Sequence, residues 1–235
     1  MPGSRRSLRC VRRAQRQALA FEPDLIIILG GPEVSYECNE QAICAAADYT
    51  ITGWGDISFA QLCAQILAGE APEARIIPGI QAKLEDIVPP YEEYTEEDIR
   101  QRHLYVEASR GCPFKCEFCL SALDKTAWPF ALDKFLADLE MLWQKGARQF
   151  KFVDRTFNLK IETSLKIMDF FLDKISENPD DPPFAHFELI PDHLPEKLKE
   201  SIQRFPAGTL QFEIGIQTFN IEVQARLSRK QKNEL

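Results

Sequence analysis

The chain has 235 residues, of which 45% are hydrophobic, and its formal net charge is −8. This length and apolar content suit one large or two small globular domains. No apolar run approaches the ~20 residues of a membrane-spanning helix, which argues against a membrane. The acidic balance argues against nucleic acid as the main partner.

The chain begins with an arginine-rich segment: its first 20 residues contain six arginines and no acidic residue. This composition suits an organellar transit peptide, and equally a basic arm for an anionic surface. A third interpretation is a solvated helix, because the apolar residues from Leu8 to Leu19 keep helical spacing up to Pro23. We favour the helix, with the arginines on its solvated face.

The next segment has an α/β pattern. Residues 24–29 form a β-branched run that ends in Gly30 and Gly31, which is typical of a parallel strand entering a tight turn. The predicted elements that follow are a helix, a strand and a helix, over residues 39–47, 49–52 and 57–67. This alternation with short turns predicts a small α/β unit.

Residues 69–103 have the composition of a linker. They contain four prolines and an acidic run from Glu92 to Asp98. Prolines and clustered charges favour an extended, solvated connector. We therefore predict a surface linker with one short helix over residues 95–101.

Strand–helix alternation resumes at residue 104. The predicted elements alternate as strand and helix over residues 104–108, 130–145, 150–153, 161–176, 184–190, 194–205, 209–216 and from 222 onward. Four β/α units in series predict a partial parallel barrel of the TIM type, with its working groups at the carboxyl ends of the strands.

A cluster of three cysteines follows the first of these strands. Cys112, Cys116 and Cys119 give the spacing C-x3-C-x2-C, three thiolates without a fourth. A [4Fe–4S] cluster held by three cysteines keeps one iron open to an outside ligand. Zinc remains an alternative if His103 or His186 supplies a distant fourth ligand. Disulfides are disfavoured, because the seven cysteines are an odd number and no signal peptide precedes them.

This spacing, with Phe118 directly before the last cysteine, resembles the radical S-adenosylmethionine (SAM) superfamily. The resemblance implies that the three cysteines bind a [4Fe–4S] cluster, that SAM chelates the open iron, and that the backbone at Phe118 meets its adenine. It also implies an electron from a reductant such as flavodoxin or ferredoxin, a 5′-deoxyadenosyl radical, and a reducing, cytoplasmic setting.

Three further residues are predicted to contact SAM. Asp154 and Arg155 stand where the family often has a G-G-E segment, and their charges suit the SAM ammonium and carboxylate. Glu213 resembles the fourth-strand segment that meets the ribose. The alternatives are an ion pair between Asp154 and Arg155, and a surface position for Glu213.

Residues 24–68 resemble the C-terminal half of the Rossmann-like cobalamin-binding domain that precedes some radical SAM domains. The resemblance implies that Gly30 and Gly31 let the backbone approach the cobalamin nucleotide tail. The family's D-x-H-x-x-G segment is absent, since His103 is the first histidine. The predicted organisation is a half-domain, a linker and a partial barrel truncated at both ends, over residues 1–68, 69–103 and 104–235.

The resemblances together imply a radical SAM enzyme, with cobalamin-dependent methyl transfer as the candidate reaction. A non-catalytic iron–sulfur fragment is the alternative from another functional class. The residue pattern does not specify the substrate. The cysteines outside the motif lack ligand spacing and are predicted to be core residues: Cys10, Cys38, Cys44 and Cys63.

Overall fold

The computed structural model describes residues 22, 24–119, 127–228 and 231. The arginine-rich segment and Cys10 lie outside these residues, so the interpretations of that segment stay predictions. The chain divides into two compact units, Met1–Ile87 and Val88–Leu235. Both contain parallel sheets with helices, which confirms a mixed α/β fold. Within the described ranges, no helix is long and apolar enough to cross a membrane.

The first unit contains a three-stranded parallel sheet. Strand β2, Tyr49–Thr52, lies in the centre, between β1, Ile28–Leu29, and β3, Ile76–Pro78. Helix α1, Asp56–Leu67, connects the second strand to the third. Strand β2 and helix α1 match their predictions closely, because both have a clear apolar period.

The helix predicted over residues 39–47 is wrong. The segment forms two short 3-10 turns, Cys38–Glu40 and Cys44–Ala46, separated by Gln41 in an extended conformation. The side-chain amide of Gln41 donates to two main-chain carbonyls upstream, at 2.8 Å each. This local bonding competes with a helical backbone. Cys44 is buried in a small cluster with Val34 and Ile43.

The predicted linker, residues 69–103, contributes to both units. Strand β3 completes the first sheet, while Tyr91 and Ile99 are buried in the core of the second unit. The short predicted helix is α2, Glu96–Gln101, and a capping box between Thr95 and Asp98 starts it. Apolar residues between the prolines thus take part in both units.

The second unit contains a parallel sheet of four strands: β4, Leu104–Val106; β7, Gln149–Phe152; β8, Phe184–Leu189; and β9, Leu210–Ile214. Within the described residues these strands pair in chain order. The helices after them are α3 to α6: Leu132–Gln144, Ile161–Glu177, Glu196–Gln203 and Ile221–Arg226. All four predicted β/α units are present, with ends shifted by a few residues.

An antiparallel hairpin that the pattern did not predict flanks the cysteine motif. Strand β5, Ser109–Gly111, pairs with β6, Ala127–Pro129. Three-residue strands are too short for a readable period. The cysteine motif lies between these two strands, and so does the undescribed segment 120–126.

Phenylalanines fill the core between the sheet and its helices. Phe150, Phe152 and Phe187 point to this side of the sheet, and each is at most 1% exposed. The rings of Phe152 and Phe187 are 4.5 Å apart, and Phe157 stacks on Phe187 at 3.9 Å. The helices contribute Leu139, Leu142, Ile167, Met168, Phe171 and Leu198. This core holds the strand ends on which the candidate site is built.

Candidate functional site

The three cysteines of the motif lie on one loop after β5, and all three are free thiols. Cys116 is buried, whereas Cys112 and Cys119 are half-buried. A turn joins the last two, since the N–H of Cys119 donates to the carbonyl of Cys116 at 3.0 Å. The sulfur of Cys112 is 4.0 Å from the hydroxyl of Thr156, which follows strand β7. The loop therefore begins beside the carboxyl end of the neighbouring strand.

The middle of the cysteine loop is held by residues that follow helix α6. The N–H of Glu117 donates to the carbonyl of Leu227 at 3.1 Å. The hydroxyl of Ser228 donates to the Glu117 carboxylate at 2.9 Å. Phe118, the predicted adenine neighbour, comes next and is 43% exposed.

The three thiols are not assembled around a single metal ion in this conformation. No three His, Cys, Asp or Glu side chains in the described part of the chain are arranged to hold a metal ion. Neither His103 nor His186 forms such a group with the thiols in the described residues. The donor set still fits a cluster, because three free thiols on one loop are the ligands that iron–sulfur clusters take.

Asp154 is a buried carboxylate that ties strand β7 to the approach of the cysteine loop. It is 2% exposed and accepts from the N–H of Ala108 at 2.9 Å and the hydroxyl of Ser109 at 2.6 Å. Burial raises its pKa to about 6, although both hydrogen bonds oppose the shift. Arg155 is exposed, and within the described ranges the two residues form no ion pair.

Two polar connections near the site were missed by the sequence pattern. Arg110 forms a bidentate ion pair with Glu107, at 3.0 and 2.8 Å, just before the motif. Asn158 is fully buried and joins the loops after β7 and β8. Its amide donates to the carbonyls of Ile190 and His193 at 2.9 and 2.7 Å, and it accepts from the N–H of Ile190 at 3.0 Å. An asparagine after a strand was the only signal.

A cleft of about 380 Å³, open to solvent, lies beside these strand ends. Its walls come from the ends of β4 and β7, from β6 and from the first turns of α4. Asp154, Thr156 and Lys160 are among its polar lining residues, and most of the remaining lining is apolar.

The side of the sheet opposite the helices is polar. Tyr105, Lys151, His186 and Gln211 lie in one row across the four strands, because successive register pairs join them. Glu213 projects from this face with its side chain 66% exposed, and one of its oxygens is 3.8 Å from Nε2 of His186. An exposed carboxylate at a strand end is available to a ligand.

The glycine pair of the first unit lies at a turn with space above it. Gly31 has φ of 99°, which favours glycine, and a Cβ there would meet no atom within 4 Å. A Cβ on Gly30 would make only ordinary contact, 3.8 Å from the carbonyl of Ile51. The turn thus fits close approach by a ligand, but the first unit has no histidine to ligate cobalt.

Comparison with known proteins gives a fold and a distant relative. No protein-family profile matches the chain. An uncharacterized methyltransferase from Pyrococcus horikoshii is 25% identical in an alignment of 178 residues, and the match covers 64% of this chain and 38% of the relative. At this identity the match is distant and does not establish a family.

The solved structures with a similar fold include TsrM from Kitasatospora setae, a radical SAM methyltransferase with cobalamin and a [4Fe–4S] cluster bound. The TM-score is 0.61 and the identity 15%, over 86% of this chain and 43% of TsrM. TsrM with its tryptophan substrate and a SAM analogue gives the same values. The chain spans about two fifths of the length of either relative. These matches establish that the chain shares its fold with part of TsrM.

Proposed function

We propose that the chain is the cofactor-binding portion of a radical SAM methyltransferase. The observation that carries the proposal is a loop of three free thiols at the carboxyl end of the first strand of a parallel sheet. The fold shared with TsrM and the distant methyltransferase relative support it. When bound, the cluster would supply the electron for reductive cleavage of SAM.

In this proposal the cluster is held by Cys112, Cys116 and Cys119. The backbone at Phe118 lies against the adenine, and the exposed Glu213 accepts from the ribose hydroxyls, since a carboxylate is an acceptor-only group. Arg155, which is exposed, pairs with the SAM carboxylate.

Asp154 takes a supporting role in place of the predicted contact with the SAM ammonium. Its two oxygens already accept hydrogen bonds from Ala108 and Ser109. A carboxylate so engaged fixes the start of β5, and with it the direction in which the cysteine loop leaves the sheet. We therefore propose that it positions the loop without touching SAM.

Cobalamin is proposed as the third cofactor of the chain, after the cluster and SAM, and it is assigned to the first unit. The open surface above Gly30 and Gly31 and the cobalamin bound in TsrM support this. Because the first unit supplies no histidine, the proposal assigns no cobalt ligand to this chain.

The test is anaerobic reconstitution with iron and sulfide, followed by incubation with SAM and dithionite. The wild type should bind about four irons per chain and release 5′-deoxyadenosine. A variant with Cys112, Cys116 and Cys119 all changed to serine should do neither, whereas Cys63→Ser, outside the motif, should match the wild type.

Three outcomes distinguish the alternatives. Equal iron content in the triple variant would refute the assignment of the ligands. A cluster that forms without SAM cleavage would favour the non-catalytic iron–sulfur protein. One tightly bound zinc per chain in protein purified without added metal, lost in the triple variant, would favour the zinc site.

A further inference from the structure

The contact between Ser228 and Glu117 contains an unusual backbone conformation. Ser228 has φ of 50°, one of two non-glycine residues with positive φ in the described part of the chain. Residues other than glycine seldom adopt this conformation unless surrounding contacts impose it. At Ser228 the hydroxyl donates to the Glu117 carboxylate, while the preceding carbonyl, that of Leu227, accepts from the Glu117 N–H. The positive φ of Ser228 thus occurs where Leu227 and Ser228 both form hydrogen bonds with Glu117.

The segment that supplies these two bonds is itself anchored to the loop that follows strand β9. Asn220 caps helix α6 by accepting from the N–H of Val223 at 3.1 Å. The amide of Gln224, which is 6% exposed, donates to the carbonyl of Thr218 at 2.9 Å. The short helix is therefore fixed to the turn before it, and Leu227 and Ser228 follow directly after this helix.

Glu117, which these two hydrogen bonds hold, lies inside the cysteine motif. Glu117 separates Cys116 from Phe118 and Cys119, so its N–H and carboxylate bonds fix the backbone between the second and third thiols. The first thiol approaches strand β7 through Thr156. The loop is thus held at its start by the second strand of the sheet and at its middle by the segment after the fourth strand.

We propose that Ser228 and Glu117 form a clamp that positions Phe118 and Cys119 for SAM. This inference rests on the proposed function, because it assigns the Phe118 backbone to the adenine and Cys119 to the cluster. Neither Ser228 nor Glu117 touches the cofactors. They act as positioning residues by holding the loop in the conformation that SAM binds.

The first test uses the apo-protein and needs no cofactor. The alkylation rate of each cysteine by iodoacetamide is measured by mass spectrometry. Ser228→Ala and Glu117→Ala should each raise the rate at Cys119 about two- to tenfold, which is the worth of one hydrogen bond. The double variant should do no more than either single variant. Cys63, outside the motif, should be unchanged.

A rescue variant separates the hydroxyl bond from general loosening. Asparagine tolerates positive φ and its amide can donate to Glu117, so Ser228→Asn should restore the wild-type rate. Ser228→Gly relieves the backbone strain but lacks the hydroxyl, so it should behave like Ser228→Ala. An unchanged rate at Cys119, or an equal rise at Cys63, would overturn the clamp.

The second test measures SAM affinity of the reconstituted protein. Ser228→Ala should weaken binding by about two- to tenfold with iron content and melting temperature unchanged. A merely structural contact would lower melting temperature and leave affinity alone, which would overturn the positioning role. Failure of the wild type to bind SAM would instead overturn the proposed function, and the alkylation rates would still decide the clamp.

Discussion

The two faces of the four-stranded sheet differ in the burial and polarity of their residues. On the helix side, Phe152 and Phe187 are at most 1% exposed and touch other aromatic rings. On the opposite side, Tyr105 is 54% exposed and the side chain of Glu213 is 66% exposed. Successive residues of one strand therefore alternate between the two faces, so that one packs in the core and the next lies on the polar side. Substitutions on the helix side should therefore lower stability, whereas substitutions on the polar side should weaken ligand binding.

The largest effect is expected at the centre of the packed face. Phe152→Ala removes a ring that touches four others, those of Phe135, Phe157, Phe171 and Phe187. It should lower the free energy of unfolding by about 3–5 kcal/mol. Urea denaturation measures this, with Gln211→Ala on the polar face as the control. A loss below about 1 kcal/mol would show that the two faces do not differ as described.

A pH-dependent effect is expected at Asp154, which is buried just after strand β7. Its pKa is raised to about 6 in the folded state from 3.8, so the folded protein binds this proton more tightly than the unfolded chain does. The contribution of Asp154 to stability is thus complete below pH 3.8 and declines as pH rises through 6.

Asp154→Asn should remove this decline. Asparagine stays neutral, and it can accept from Ala108 and donate to Ser109. Relative to the wild type, the variant should gain up to about 3 kcal/mol between pH 4 and pH 6.5. Urea midpoints across that range measure it. Parallel pH profiles for the two proteins would mean that Asp154 stays ionised at no cost.

A somewhat smaller effect is expected at the connection between the loops after β7 and β8. Asn158→Ala leaves the N–H of Ile190 and two carbonyls without their partner. The free energy of unfolding should fall by about 2 kcal/mol, because each buried group stays removed from water without a hydrogen-bond partner. Asn158→Asp is the matched variant: it keeps the acceptor, loses both donors and should also destabilise. If either variant unfolds like the wild type, these loops are not held by the amide.

The smallest effect on stability is expected on the polar face. Glu213→Gln should change the free energy of unfolding by no more than about 0.5 kcal/mol, since the side chain is mostly exposed. Under the proposed function it should still weaken SAM binding roughly tenfold, by weakening a charged acceptor. Calorimetry on the reconstituted protein measures the affinity. A stability loss as large as that of Phe152→Ala would erase the contrast between the faces.

The repeating β/α units could be predicted because their information is local. Helix α4 was predicted over residues 161–176 and is Ile161–Glu177, since its apolar residues recur at helical spacing. Helix α3 was predicted over residues 130–145 and is Leu132–Gln144, and Gly146 follows its end with φ of 96°. The short hairpin of β5 and β6 has no such period, and the turns around Gln41 depend on one side-chain amide.

The geometry of the site could not be predicted in the same way. The cysteine spacing is a local signal, but the partners of Asp154 and Asn158 lie 45 and 32 residues away in sequence. Those bonds exist only after strands pair in register. Gly79 is similar: a Cβ there would lie 2.1 Å from the carbonyl of Trp54, which no sequence pattern reveals. The roles of Phe118, Arg155 and Glu213 toward SAM stay predictions.

The grip of Ser228 on Glu117 also has a consequence for biosynthesis. The two residues are 111 positions apart, so the ribosome makes the cysteine loop well before the residues that hold it. At ordinary rates of translation the delay is roughly 5 to 20 s. During that interval the three thiols are tethered at Cys112 at most. Under the proposed function, a cluster inserted during that interval would meet a loop that helix α6 and Ser228 do not yet hold.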